Sequence, residues 1–241
     1  MIITSLENQK VKDVVKLKNK KYRDFTNTFV VETEHLVEEA KKAGIIKDLF
    51  LVKNEFVDNN DTYFVTNEVM KKMSSMESPS NVLAVCYKSD SKDIVGDKIL
   101  LLDGVQDPGN LGTIIRSSVA FGVTTIVLSL DTVDLYNPKV IRATEGMFCH
   151  INIITMDLEK AINMIKSKGI KVYGTNVVDG VDVSTIIDKN KYALIVGNEG
   201  NGVKQNIQDL CDLNLYIPMK EDVESLNVGV ACSILLYELE K

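Results

Sequence analysis

The 241-residue chain has no tryptophan, two histidines, four prolines and four cysteines, and only 6% of it is aromatic. Cys86, Cys149, Cys211 and Cys232 lie far apart in apolar surroundings and form no CxxC pair, which predicts reduced core thiols rather than disulfides or zinc ligands. Only His35 and His150 are available as imidazole bases. His35 reads as part of a short polar turn after a strand and His150 as the opening of a strand, so both are assigned structural roles. The GxSxG elbow of nucleophilic hydrolases is absent. So are a GxGxxG after the first strand and a GxxxxGK[ST], which disfavours dinucleotide-dependent dehydrogenases and P-loop kinases. No stretch approaches the ~18 consecutive apolar residues of a membrane span, and MIITSLENQK lacks a signal peptide's apolar core. The protein is expected to be soluble and cytoplasmic.

What remains is an ordinary globular composition, 45% apolar and 26% charged. The net charge of −6 is unevenly spread: residues 1–92 carry +1 and residues 93–241 carry −7. Within residues 1–23, seven bases (Lys10, Lys12, Lys16, Lys18, Lys20, Lys21, Arg23) face two acids. This basic arm on an acidic protein is read either as a solvated helix face or as a phosphate-contacting segment.

The first ~90 residues alternate helical and extended patterns. Val11, Val14, Val15 and Leu17 mark a helix face, and Leu36, Val37, Ala40 and Ala43 mark a second helix closed by Gly44. Strands are predicted at Phe29–Val31, Asp48–Val52, Tyr63–Val65 and Val82–Tyr87, with a helix near Asn67–Ser74. The polar stretch Lys88–Asp97 reads as a linker between a unit over 1–90 and a unit over 97–241. In the second unit, short apolar strands are predicted at 99–102, 125–128, 151–154, 171–173, 193–196 and 213–217, with helices between most of them. That pattern implies an α/β fold with a parallel sheet covered on both faces. Asn137-Pro138 marks one helix start, and Ser225 or Asn227 precedes a long apolar helix ending near Glu240.

Ligands of such sheets bind beyond the C-terminal ends of strands, which directs attention to three loops. They are Asp103–Gly112, Gly197–Gly202, and Ile217-Pro218-Met219 on to Ser225-Leu226-Asn227. Glycines at 197, 200 and 202 allow backbone to approach a ligand closely and to offer N–H and C=O groups to a flat polar edge such as adenine. If Leu111–Phe121 is a helix, Leu111, Ile114, Ile115 and Val119 form its buried stripe, whereas Thr113, Arg116 and Ser117 share another face. Asn110 is then expected to cap that helix, either alone or while also offering its amide to a substrate or to a neighbouring catalytic side chain. Glu199, in the glycine loop, is either a solvent-facing acid or an orienting group. The last helix is apolar on nearly every face, which suggests a two-fold interface or deep burial.

Taken together and in this order, LLDGVQDPGNLGTIIRSS, LIVGNEGNGV and YIPMKEDVESLNVGVACSILLYE resemble the three motifs of the SpoU (TrmH-like) RNA ribose 2′-O-methyltransferases of the SPOUT superfamily. Residues 1–88 resemble the family's small substrate-binding domain. One departure is Val31-Glu32-Thr33-Glu34-His35, where relatives usually carry glycine at the third position. The resemblance implies a small N-terminal αβ RNA substrate-binding domain and a parallel-sheet methyltransferase domain with a C-terminal trefoil knot. It implies S-adenosylmethionine as cofactor, no metal, a homodimer, and RNA, ribosomal above transfer RNA, as substrate. On the same ground Thr175, Asn176, Gly197, Asn198, Glu199, Gly200, Ile217, Met219, Ser225, Leu226 and Asn227 are assigned to the cofactor. Arg116, Asn110, Glu199, Ser225 and Asn227 are assigned to catalysis, and Lys10, Lys18, Lys20, Lys21, Arg23 and Arg142 to RNA. A guanidinium is a poor base, so phosphate clamping is the minimum role of Arg116. A non-catalytic RNA-binding module, a transfer-RNA ribose methyltransferase and a base methyltransferase are the competing readings.

Overall fold

Two sheets organise the chain, and they belong to two separate units, residues 1–90 with 134–149 and residues 91–133 with 150–241. The computed structural model describes residues 2–52, 62–177, 180–220 and 222–241.

The first unit runs β1 (Ile2–Ile3), α1 (Gln9–Lys16), α2 (Lys20–Thr26), β2 (Thr28–Glu32), α3 (Glu34–Lys42), β3 (Ile46–Leu51), β4 (Thr62–Val65), α4 (Asn67–Met73) and β5 (Val82–Tyr87). Its mixed sheet has the order β1-β4-β3-β5-β2. Asn8 and Asn19 cap α1 and α2 by accepting the N–H groups of Lys10 and Lys21. Val11, Val14 and Leu17 then pack with Phe50, Val65, Met70 and Leu83 in one core.

Arg23 does not face solvent as the basic-arm reading supposed. It is 4% exposed, donates to the carbonyls of Leu17 and Lys18, and pairs with Asp134 at 2.6 Å. Asp134 belongs to a segment that the sequence reading placed in the second unit. That segment, which contains α6 (Pro138–Ala143), is held to the first by packing as well as charge. The Phe29 ring lies 4.6 Å from that of Tyr136 and 5.7 Å from that of Phe148. Arg142 donates to Ser75 Oγ, and Ser75 in turn donates to the buried Glu32 carboxylate, which also accepts from Ser74. His35 sits in α3, not in a turn, with Nε2 3.2 Å from the Glu145 carbonyl. His150 ends a short 3-10 helix, Met147–His150, instead of opening a strand.

Thr33 takes a backbone conformation that favours glycine, with φ 93° and ψ 146°. A β-branched side chain is strained there, at about 1–3 kcal/mol. Its hydroxyl offsets part of that cost by capping α3 through a weak 3.4 Å contact from Leu36 N–H. Thr33→Gly is therefore expected to stabilise the protein by about 1 kcal/mol, since glycine at an N-cap loses only a few tenths. Denaturant unfolding checks this, and a lowered midpoint would mean that the cap outweighs the strain.

The second unit contains β6 (Lys98–Leu102), α5 (Pro108–Ala120), β7 (Thr125–Leu128), β8 (Asn152–Thr155), α7 (Leu158–Ser167), β9 (Lys171–Thr175), β10 (Val181–Asp182), β11 (Tyr192–Val196), α8 (Gln205–Gln208), β12 (Leu213–Tyr216) and α9 (Val228–Glu240). All seven strands are parallel, in the order β10-β12-β9-β11-β6-β7-β8. Within β6, β7 and β11, residues 99–102, 126–128 and 192–196 are continuous buried apolar runs, the pattern of parallel strands covered on both faces. The register sets Leu102 beside Val196 and Thr175 beside Leu215. The loops that leave β6, β11, β9 and β12 therefore emerge at one edge of the sheet.

Cys86 and Cys232 are buried, Cys149 and Cys211 half-buried, and all four thiols are free. Burial pushes the Cys149 and Cys232 thiols up to about 12 and Cys211 to about 11. Among the described residues no helix is long and apolar enough to cross a membrane.

Candidate cofactor site and the network beside it

Beyond that sheet edge lies a cavity of about 480 Å³, inside the range that encloses ligands of cofactor size. Its wall is built from the ends of β9 and β12, the Gly197–Gly202 loop, Ser225-Leu226 and the first turns of α9. Of the residues assigned to the cofactor, Thr175, Asn176, Gly197, Asn198, Glu199, Gly200, Ile217, Met219, Ser225 and Leu226 all line it, whereas Asn227 stands beside it. Val196, Val228, Ala231 and Leu235 supply an apolar floor that the sequence reading did not single out. In the sequence, Val228, Ala231 and Leu235 are legible only as part of a last helix apolar on nearly every face, and Val196 only as the end of an apolar strand.

The glycine loop owes its shape to local contacts. Asn198 and Gly202 exchange backbone hydrogen bonds of 2.9 and 3.0 Å, closing a tight hairpin in which Gly202 takes φ 69°. Asn198 Oδ1 accepts the N–H groups of Gly200 and Asn201, and its Nδ2 donates to the Gly104 carbonyl. At its far end the loop is anchored by Lys204, whose backbone N–H and Nζ both reach the buried Asp103 carboxylate, at 2.8 and 3.0 Å. Lys204 Nζ also contacts Asp131 at 2.6 Å. Neither Asp103 nor Lys204 was among the candidate residues, because the pairing spans 101 positions of sequence.

The helix start differs from the expectation in an informative way. Asp107, not Asn110, caps α5, accepting Asn110 N–H at 2.8 Å with Pro108 in the first turn. The Asn110 side chain is thereby released to donate to Glu199 at 3.0 Å and to accept from Asn227 Nδ2 at 2.9 Å. Asn227 Oδ1 meanwhile caps α9 by accepting from Gly229 and Val230. Glu199 also accepts the backbone N–H of Asp107 at 3.0 Å and that of Gln106. One chain of hydrogen bonds, Glu199–Asn110–Asn227, thus joins all three loops.

Partial burial pushes the Glu199 carboxyl upward, but hydrogen bonds from Asn110, Asp107 and Gln106 outweigh it and hold the group below its usual value. The folded state therefore favours the carboxylate, and its bridging persists above the ordinary value of 4.5 and is lost only as pH falls through the lowered one. Ligand affinity measured by calorimetry is expected to be insensitive to this group from neutrality down to about pH 5. A Glu199-dependent decline already near pH 6 would contradict the network.

Ser225 lines the cavity without a hydrogen bond among the described residues. Arg116 is exposed on α5, off the cavity wall, and makes no hydrogen bond or ion pair among the described residues. Of the lysines assigned to RNA, Lys10 pairs with Asp48 at 2.8 Å and Lys18 donates to the carbonyls of Lys72 and Ser74, whereas Lys20 and Lys21 are exposed.

The wall chemistry identifies a ligand class. Among the described lining residues there is one charged side chain, Glu199, and no lysine, arginine or histidine. A phosphate-bearing cofactor would leave its charge unmatched by any cation of the wall. A sulfonium nucleoside instead finds a carboxylate for its positive charge, backbone edges for its base and an apolar floor for its ring. S-adenosylmethionine fits the residues present.

Comparisons with known proteins agree. The model of the SpoU rRNA methylase family matches residues 97–237, and that of an MRM3-like substrate-binding domain matches residues 8–84. The 23S rRNA (guanosine(2553)-2′-O)-methyltransferase RlmP of Bacillus subtilis is 43% identical over 98% of both chains. An rRNA methyltransferase from Sinorhizobium meliloti superposes with a TM-score of 0.89 at 31% identity, over 99% of this chain and 96% of that one. Its AdoMet-bound form gives the same TM-score and identity, over 99% and 97% of the two chains. With a motif-bearing unit and a substrate-binding unit both matched, this chain belongs to the SpoU rRNA methylase family.

Proposed function

We propose that the protein transfers a methyl group from S-adenosylmethionine to the 2′-hydroxyl of a guanosine ribose in 23S ribosomal RNA, in the cytoplasm. The first unit holds the RNA and the second holds the donor. The observation that carries the reading is the cavity whose one charged side chain among the described lining residues is an anion, built from loops already tied together by Glu199, Asn110 and Asn227. The RNA class is supported by the Bacillus subtilis relative and by the matched substrate-binding model.

When bound, the donor would supply an electrophilic methyl whose bond to the sulfonium breaks as the bond to the ribose oxygen forms, leaving a neutral thioether and releasing the hydroxyl proton to the neighbouring RNA phosphate or to water. The residues of the chain then have mainly positional work, which is where most of the rate of such a displacement arises. Gly197, Ile217 and Leu226 hold the nucleoside part, and Glu199 fixes the Asn110 amide at the mouth. Ser225 offers a hydroxyl to the target ribose. Arg116, always charged and planar, clamps an RNA phosphate and so fixes the neighbouring 2′-hydroxyl.

The reading includes a trefoil knot in the C-terminal part of the second unit, supported by the family assignment. It also includes a homodimer, supported by α9: Val230 and Tyr237 are 47% and 50% exposed, apolar surface that one chain leaves open. Arg116 stands outside its own cavity, on the helix whose Ser117 bonds Ser233 of α9 at 2.6 Å. Pairing therefore decides which cavity it serves. Mapping 2′-O-methyl sites in ribosomal and transfer RNA from cells with and without the gene tests the function. One 23S position losing its methyl is expected, and a site lost only in transfer RNA would refute the substrate assignment.

A further inference from the structure

The seven residues of α2, KKYRDFT, are the part of the basic arm that the proposed chemistry leaves unexplained. Arg23 is their inward anchor, buried against the carbonyls of Leu17 and Lys18 and against Asp134. At about 100° per residue, Lys21 and Phe25 then fall on the pole opposite Arg23. The exposures agree: Phe25 is 87% exposed, the most exposed aromatic side chain among the described residues, and Tyr22, one turn earlier, is 42% exposed. Lys16 Nζ lies 5.9 Å from the Tyr22 ring centre. The Lys20 and Lys21 side chains are exposed and make no hydrogen bond or ion pair among the described residues; Asp24, whose carboxylate Lys20 also stabilises electrostatically, pairs with Lys88 at 2.6 Å. Lys10 and Lys18, by contrast, are occupied within the unit.

A phenylalanine held out into water by a buried arginine, with the Lys21 ammonium on the same face, presents a π-face beside a cation free to meet an anion. We infer that Phe25 and Tyr22 form a stacking platform for an unpaired base of single-stranded RNA, with Lys20 and Lys21 taking the adjoining phosphates. This deepens the RNA-methyltransferase reading and rests on it. Base stacking on an aromatic ring is tolerant of sequence and needs no pocket, which suits a site of two rings on a convex helix. A protein partner would need a far larger apolar area than two rings supply, and the lysines would oppose its desolvation.

The absence of tryptophan supplies the test. In Phe25→Trp the indole is the only one in the chain, and its emission is expected to be quenched on titration with a 23S rRNA fragment containing the target loop. Phe25→Ala is expected to raise Kd and KM for that RNA about tenfold, with kcat, S-adenosylmethionine affinity and the salt dependence of binding retained. Phe25→Trp restores the affinity. Lys21→Ala instead lowers the slope of log K against log salt by about one. The platform is overturned if Phe25→Ala binds RNA as tightly as the unmodified protein. It is equally overturned if the indole responds to protein concentration instead of RNA, which would assign the patch to a second copy of the chain. An unmodified protein that binds S-adenosylmethionine but neither binds nor methylates RNA would defeat the underlying reading as well, and the same titrations distinguish that outcome.

Discussion

Arg116→Ala is expected to lower methyl transfer by about 10²–10³-fold while leaving S-adenosylmethionine affinity within about twofold, the split expected when a charge acts on the reacting centre and not on the donor. The structure supports the second half. Arg116 is absent from the cavity wall, so truncating it removes no cofactor contact. It is also exposed and without an ion pair or hydrogen bond among the described residues, so little folding stability depends on it. On the proposed reading, what would be lost is a fork of donors for an RNA phosphate. Arg116→Lys should recover little of the rate, because a compact ammonium cannot hold a phosphate in a bidentate grip. Mixing Arg116→Ala protein with a cofactor-site variant adds a second readout: recovered activity would show that Arg116 of one chain serves the cavity of another. Full activity of Arg116→Ala on RNA would remove the residue from the mechanism.

Gly197→Ala is expected to weaken S-adenosylmethionine binding by about 100-fold or more and to destabilise the fold by about 1–3 kcal/mol, because the added methyl enters close-packed backbone. A Cβ at Gly197 would lie 2.0 Å from the Gly202 carbonyl carbon and 2.2 Å from the Val203 nitrogen. No side chain can rotate away to accommodate it; the hairpin itself must open, and with it the placement of Glu199. The control is three residues away. A Cβ at Gly200 meets nothing nearer than Asn198 Oδ1 at 3.6 Å, so Gly200→Ala should keep the stability that Gly197→Ala loses. Calorimetry and thermal unfolding of the two variants decide the matter, and equal behaviour would mean that the loop is not closed as described.

Local signals were read well and distant ones poorly, for identifiable reasons. The strands Val82–Tyr87 and Thr125–Leu128 emerge with the bounds that apolar runs assign them, and Asn137-Pro138 starts a helix as capping chemistry requires. The parallel sheet follows from short apolar strands alternating with helices. The α5 start was misplaced because Asp107 and Asn110 are both good caps, and the Pro108 ring between them favours the earlier one. Arg23 was counted as solvent-facing because helix periodicity alone does not reveal that Asp134, 111 positions later, waits for it. The same blindness to long-range pairing hid the Asp103–Lys204 anchor and the attachment of residues 134–149 to the first unit. The site residues were legible chiefly as motifs. That Glu199, Asn110 and Asn227 form one connected chain required coordinates, since each alone reads as a surface polar residue or a cap.

The most direct test supplies the purified protein with methyl-labelled S-adenosylmethionine and 23S rRNA, digests the product to nucleosides and identifies the labelled one by mass. A single labelled species is expected, 2′-O-methylguanosine, with the label on the ribose fragment. Label on the base fragment, or none in RNA despite donor binding, would contradict the proposed function.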